Sequence, residues 1–181
     1  MRTLMLSLIL VALNITAATA QEFSTVQLYE DADAYKIYSL LLPHEESYAF
    51  AEDALMIPKN AAAQDVSGAC LRQADAKRFK GAIAYYNRVR EKKWLFQRHF
   101  QIAKAYRVVG KEVISALRDR PQRAVSYVLM SPVGFNRDKT QAIVFMESAC
   151  GGLCGSRRLH FLEKIDGKWK EAAIATCAGA S

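Results

Sequence analysis

Cys150 and Cys154 enclose Gly-Gly-Leu in the run C-G-G-L-C-G, and a close thiol pair can do either redox or structural chemistry. A redox-active pair needs its first thiol depressed in pKa by a helix N-terminus or nearby cations, and Arg157 and Arg158 are the cations close in sequence. Thioredoxin-like motifs, however, leave two residues between the cysteines, whereas this run leaves three and sits between strand-like segments. The expectation is a structural disulfide that pins a glycine-rich β-hairpin, its glycines relieving backbone strain. Four cysteines permit three connectivities; with Cys150 joined to Cys154, Cys70 and Cys177 are left to pair or stay free. Cys150, Cys154, His160 and Cys177 would together suit tetrahedral zinc, but their spacing matches no finger pattern. No metal and no cofactor is expected.

Other reactive groups form no local signature. A cysteine nucleophile would need a base from His44, His99 or His160, and His160, between Leu159 and Phe161, reads as an exposed strand position. Glu45 with Glu46 and Glu52 with Asp53 could be acid/base pairs, yet neighbours in a strand point to opposite faces. A solvated face is the better reading. G-x-S-x-G, H-E-x-x-H, P-loop and dinucleotide glycine motifs are absent from the sequence.

Charge is unevenly spread, with residues 21–71 at net −7, 72–123 at +11 and 124–181 at +2. In the basic part, Arg78, Lys80, Arg88, Arg90, Lys92 and Lys93 interleave with Phe79, Tyr85, Tyr86 and Trp94. Such a mixture can hold a polyanion by charge and stacking, making these six cations candidate anion-binding residues. An anionic cell-envelope surface or an acidic protein would fit them; nucleic acid is not an expected partner. The competing reading is an amphipathic helix with a solvated basic face, beside which the acidic segment packs.

These groups need elements to hold them. Arg2, the apolar run Leu4–Ile15 and Ala18-Thr19-Ala20 read as a signal peptide cleaved near Ala20. That predicts an exported, periplasmic or extracellular protein, with residues 21–181 as one domain and no transmembrane segment in the mature chain. Phe23–Tyr29 has some β character, and a helix capped by Asp31 or Asp33 follows, with Tyr35, Tyr38, Leu41 and Leu42 at helical spacing. Ser47–Pro58 reads as a strand. Ala76, Phe79, Ala82, Ile83 and Tyr86 form a helical stripe, and Trp94–Ala103 fits either a second helix or an extended stretch. Tyr106–Ile114 reads as a strand bending at Gly110. Ala124–Val133, Thr140–Ser148, Arg158–Ile165 and Trp169–Cys177 then read as four strands, the last two joined by an Asp166-Gly167 hairpin turn. The expected fold class is α+β, with helices in the first half and a C-terminal antiparallel β-meander of about four strands.

V-G-F-N-x-x-x-T-Q-A-I-V, C-G-G-L-C-G and L-E-K-I-D-G-K-W-K occur in that order over residues 131–170. This combination resembles a group of uncharacterised exported bacterial proteins with the same Gly-Phe-Asn turn, Thr-Gln-Ala strand, Cys-Gly-x-Leu-Cys-Gly loop and Gly-x-Trp hairpin. After the second cysteine those proteins usually carry Gly and aromatic residues where this chain has Ser156-Arg157-Arg158. The resemblance implies no activity. The function expected is a non-catalytic binding or structural domain with a disulfide-stapled hairpin. An exported thiol-disulfide or hydrolytic enzyme centred on Cys150 and Cys154 is the alternative.

Overall fold

The run from Gln141 to Cys150 is apolar at both odd and even positions, so a strand made from it must be covered on both faces. The computed structural model describes residues 26–42, 55–59, 71–103, 105–118, 126–150, 155–174 and 179–180. Its elements are β1 (Gln27–Tyr29), α1 (Ala32–Leu41), β2 (Leu55–Pro58), α2 (Gln73–Arg78), α3 (Lys80–Val89), β3 (Trp94–Phe96), β4 (Tyr106–Val109) and α4 (Lys111–Arg118). They continue with β5 (Ser126–Met130), β6 (Gly134–Phe135), β7 (Gln141–Cys150), β8 (Gly155–Ile165), β9 (Lys168–Glu171) and β10 (Gly179–Ala180). The fold is α+β.

β7 lies inside a sheet ordered β10-β8-β7-β5-β2-β4, with β6 also paired to β7 and β9 to β8. The antiparallel path β5-β7-β8-β9 is the meander expected from the sequence. β2 extends the sheet by pairing in parallel with both β5 and β4. Along β7, Ala142, Val144 and Met146 join a core with Ile37, Tyr38 and Leu41 of α1. Ile143 and Phe145 point the other way, into a second cluster with Phe79, Ala82 and Tyr86 of α3. α4 caps a third cluster, where Ile114 meets Val109 and Tyr127. Helices therefore cover both faces, and the period-two alternation of β7 divides its side chains between them.

Several local choices explain the turns. Asp31 caps α1, its Oδ1 accepting from the Asp33 and Ala34 amides at 3.0 and 3.2 Å. Asp166 and Gly167 both adopt positive φ, 51° and 75°, as a two-residue type I′ hairpin requires. Asn136 organises the β6–β7 turn: its Oδ1 accepts from the Thr140 and Gln141 amides, each at 2.9 Å, and its Nδ2 donates to Thr140 Oγ1. Gly134 has a different task. A Cβ there would sit 2.3 Å from the Tyr86 Cβ and 2.7 Å from its backbone nitrogen, so β6 reaches α3 only because residue 134 has no side chain.

Two expectations need correction, and one choice between two readings is decided. The Tyr106–Ile114 strand stops at Val109, and Lys111 opens α4. Val113, Ile114 and Leu117 have helical spacing, and Glu112 in the first turn suits the positive end of a helix. Trp94–Phe96 is extended, as one of the two readings had it, and pairs in parallel with β1. His160 is buried, 4% exposed, because both faces of the sheet are covered; its Nδ1 lies 2.9 Å from Glu171 Oε1. Cys70, Cys154, Cys177, His44, Glu45, Glu46, Glu52 and Asp53 lie outside the described residues, as does the side chain of Cys150.

Gly134→Ala should lower stability by about 1–3 kcal/mol, the usual cost of overpacking a site that cannot relax. Urea unfolding checks this: the midpoint should fall with an unchanged m-value. A midpoint like that of the parent would mean that β6 and α3 can separate freely.

Candidate binding cleft

Tyr29, Tyr35 and Tyr38 face one another across the β1–α1 turn, with ring centroids 5.9–6.2 Å apart. A buried phenol needs a partner for its hydroxyl, and each of these has one. Tyr35 donates to the Tyr29 carbonyl at 2.9 Å and accepts from the Gln97 amide at 2.8 Å. Tyr38, fully buried, donates to the Ser131 carbonyl at 2.7 Å. The Tyr29 hydroxyl accepts from the Val133 amide at 2.8 Å and shares a hydrogen bond with Tyr38. Removal from water pushes all three phenols up from their ordinary value, Tyr38 well above it. Phe96 and Phe100 add edge-to-face contacts to Tyr38 and Tyr35 at 5.4 and 5.1 Å.

Beside this cluster, with Tyr29 contributing to its lining, lies an open cleft of about 670 Å³. β1 and the start of α1 supply one wall, through Leu28, Glu30, Asp31 and Asp33. α3 and β3, the strand paired with β1, add Tyr85, Val89 and Trp94. The end rests on Val133, Phe135 and Lys139 of the β6 region. Leu28 is 52% exposed and Tyr85 41%, whereas Tyr29, Val133 and Phe135 are buried beneath them. Trp94 is fixed by its indole N–H, which donates to the Val89 carbonyl at 3.1 Å, and by the Tyr29 ring at 5.4 Å.

Two of the three carboxylates on the acidic wall, Asp31 and Asp33, are paired with lysines. Lys139 reaches Asp31 Oδ2 at 3.0 Å and lies over the Phe135 ring at 5.2 Å. Asp33 receives Lys164 at 2.9 Å and Lys36 at 3.0 Å. The hydrogen bond from Lys164, more than any other contact, holds the Asp33 carboxyl below its usual range. Asp31 divides its work: one oxygen caps α1 and the other anchors Lys139.

The candidate anion-binding residues lie elsewhere; none of the six lines the cleft. Arg78 is committed to a fork on Glu163 and packs over Phe79. Arg88 stacks on the outer side chain of Tyr85 at 5.3 Å, and Arg90, half-buried, is 3.7 Å from Glu91. Lys80, Lys92 and Lys93 are exposed. Arg88, Arg90, Lys92 and Lys93 all sit at or just past the C-terminal end of α3, where the helix dipole stabilises cations directly. The cleft itself was missed by sequence reading because its lining comes from three separate segments, 28–33, 85–94 and 133–139. The signal that could have found it is the trio Tyr29, Tyr35 and Tyr38 beside Asp31, polar aromatics too numerous for an ordinary helix face.

Raised phenol pKa values set a sign for alkaline behaviour. A group whose pKa is higher in the folded than in the unfolded state contributes stability that is intact below the unfolded value, here 10.0, and is lost as pH rises beyond it. Stability toward urea should therefore be flat approaching pH 10 and fall steeply above it, with tyrosinate absorbance appearing together with loss of near-UV circular dichroism. Tyr38→Phe should flatten that slope. Ionisation of these tyrosines ahead of unfolding would contradict the hydrogen bonds that engage them in the folded state.

No family model matches the chain, and neither a curated protein nor a solved structure matches it.

Proposed function

We propose that the chain is an exported, non-catalytic binding domain that recognises its ligand in the Tyr85/Trp94 cleft. It holds its β7–β8 hairpin with a Cys150–Cys154 disulfide. The observation that carries the binding reading is the composition of the cleft. Aromatic side chains stand over the Tyr29 hydroxyl, which already accepts from the Val133 amide, and the aspartates are already paired with lysines. Such groups orient a ligand; the phenols are neutral near pH 7 and serve the fold rather than proton transfer. Export is supported by the leader-like residues 1–20. Among the described residues, no helix is long and apolar enough to cross a membrane.

The disulfide is supported by register. β7 and β8 pair as far as Ala149 opposite Gly155, and Cys150 and Cys154 are the next residues of the two segments in sequence. Directly opposed Cα atoms in an antiparallel ladder are about 4.5–5.5 Å apart, inside the range a disulfide spans. Maleimide treatment of native, oxidised protein should label neither cysteine, and the double Cys→Ser variant should lose about 2 kcal/mol, the entropy of so short a loop. A readily labelled, low-pKa thiol would favour the thiol-disulfide or hydrolytic alternative centred on this pair.

Binding is tested by thermal unfolding with soluble cell-envelope extract. A ligand at a hundredfold its Kd adds about 2.7 kcal/mol, a rise of several degrees in Tm. Tyr85→Ala, a change at an exposed position, should keep the parent's Tm without extract and lose the rise. No shift with any envelope fraction, or a shift equal in Tyr85→Ala, counts against the cleft.

A further inference from the structure

Resting on the cleft being the recognition surface, we infer that its ligand is a neutral oligosaccharide. Charge decides first. The carboxylates of Glu30, Asp31 and Asp33 are matched in number by the ammonium groups of Lys139, Lys36 and Lys164, so neither a cationic nor an anionic ligand gains much net attraction there. Geometry decides next. Tyr85 and Trp94 offer ring surface, while Glu30, the Asp31–Lys139 pair and Asp33 offer acceptors and a donor in the same cleft.

A sugar ring is amphipathic in the matching sense. Its C–H face packs on an aromatic ring, and its hydroxyls, each both donor and acceptor, bridge carboxylate and ammonium groups. The Trp94 N–H is spent on Val89, so the indole contributes packing surface and holds a fixed orientation. The Asp31–Lys139 bridge is about half open to solvent on the lysine side, so a hydroxyl can insert without exposing a buried charge. The volume lies within the ordinary range for small-ligand clefts. A neutral peptide would instead need a run of strand-edge partners, and β1 is only three residues long.

The chain carries its own reporter. Trp94 lines the cleft, whereas Trp169, the other tryptophan, is buried against Phe135. Fluorescence titrations of the full chain should use cellotetraose, maltotetraose and N-acetylated chitotetraose, at low and high salt, with tetralysine and an uncharged tetrapeptide as competing classes. Saturable change in Trp94 emission with at least one saccharide, unaffected by salt and retained in Trp169→Phe, is the expected result. Tyr85→Ala should weaken that binding about fivefold to tenfold. Salt-sensitive binding of tetralysine, or binding of the tetrapeptide, with no saccharide bound, overturns the ligand class and leaves the cleft as the site. If no probe binds, this inference falls. The binding-domain reading falls with it only if envelope extract also fails to stabilise the chain through Tyr85.

Discussion

Three phenol hydroxyls hold the two halves of this protein together. Tyr29, Tyr35 and Tyr38 come from one short stretch of chain, yet their partners are Gln97, Ser131 and Val133. Each bond satisfies a backbone group that burial would otherwise leave without a partner, so each is costly to lose even though its net stabilisation is modest. Ser131 strengthens the junction from the far side. Its amide donates to the Phe145 carbonyl and its hydroxyl accepts from the Phe145 amide, both at 2.9 Å. The chain between β5 and β6 is thus fixed to α1 on one side and to β7 on the other.

That junction decides where the cleft can be. β7 pairs with β6 over its first residues and with β5 over its last, along the same edge. The Ser131-Pro132-Val133 step between them turns β6 toward α3, where Gly134 allows contact with Tyr86. Phe135 and Lys139 then close the end of the cleft, and the Asn136 turn fixes Lys139 at a φ of 50°. Residues of the Gly-Phe-Asn…Thr-Gln pattern therefore each have a separate mechanical reason to be what they are. Glycine allows a close approach, phenylalanine packs on Trp169, and asparagine closes the turn with threonine and glutamine amides.

Much of the architecture was legible because it is written locally. The Asp31 cap, the apolar strand at Thr140–Ser148 and the Asp166-Gly167 turn each express a short-range rule, and each appears in the fold. The parallel pairing of β2 with β5 and β4 was not legible, since periodicity says nothing about which strands meet across a long crossover. The Gly110 region misled for a related reason: Tyr-Arg-Val-Val and Val-Ile share β-branched composition, while the helix depends on Ile114 packing against Tyr127. Reactive-looking residues drew attention to the cysteines and the basic helix. The cleft depends on tyrosines, whose chemistry is quiet and whose partners are distant.

The Tyr38–Ser131 and Tyr29–Val133 bonds close loops of 93 and 104 residues. Contacts of such range are slow to form, because chain entropy must be surrendered before they return any stability. Helices α1 and α3 and the β8–β9 hairpin can form early from local contacts. The cleft needs the N-terminal stretch, α3 and β6 all docked, so it assembles late. The cleft is consequently a mark of completed folding: a partly folded molecule can possess most of its secondary structure and still lack it.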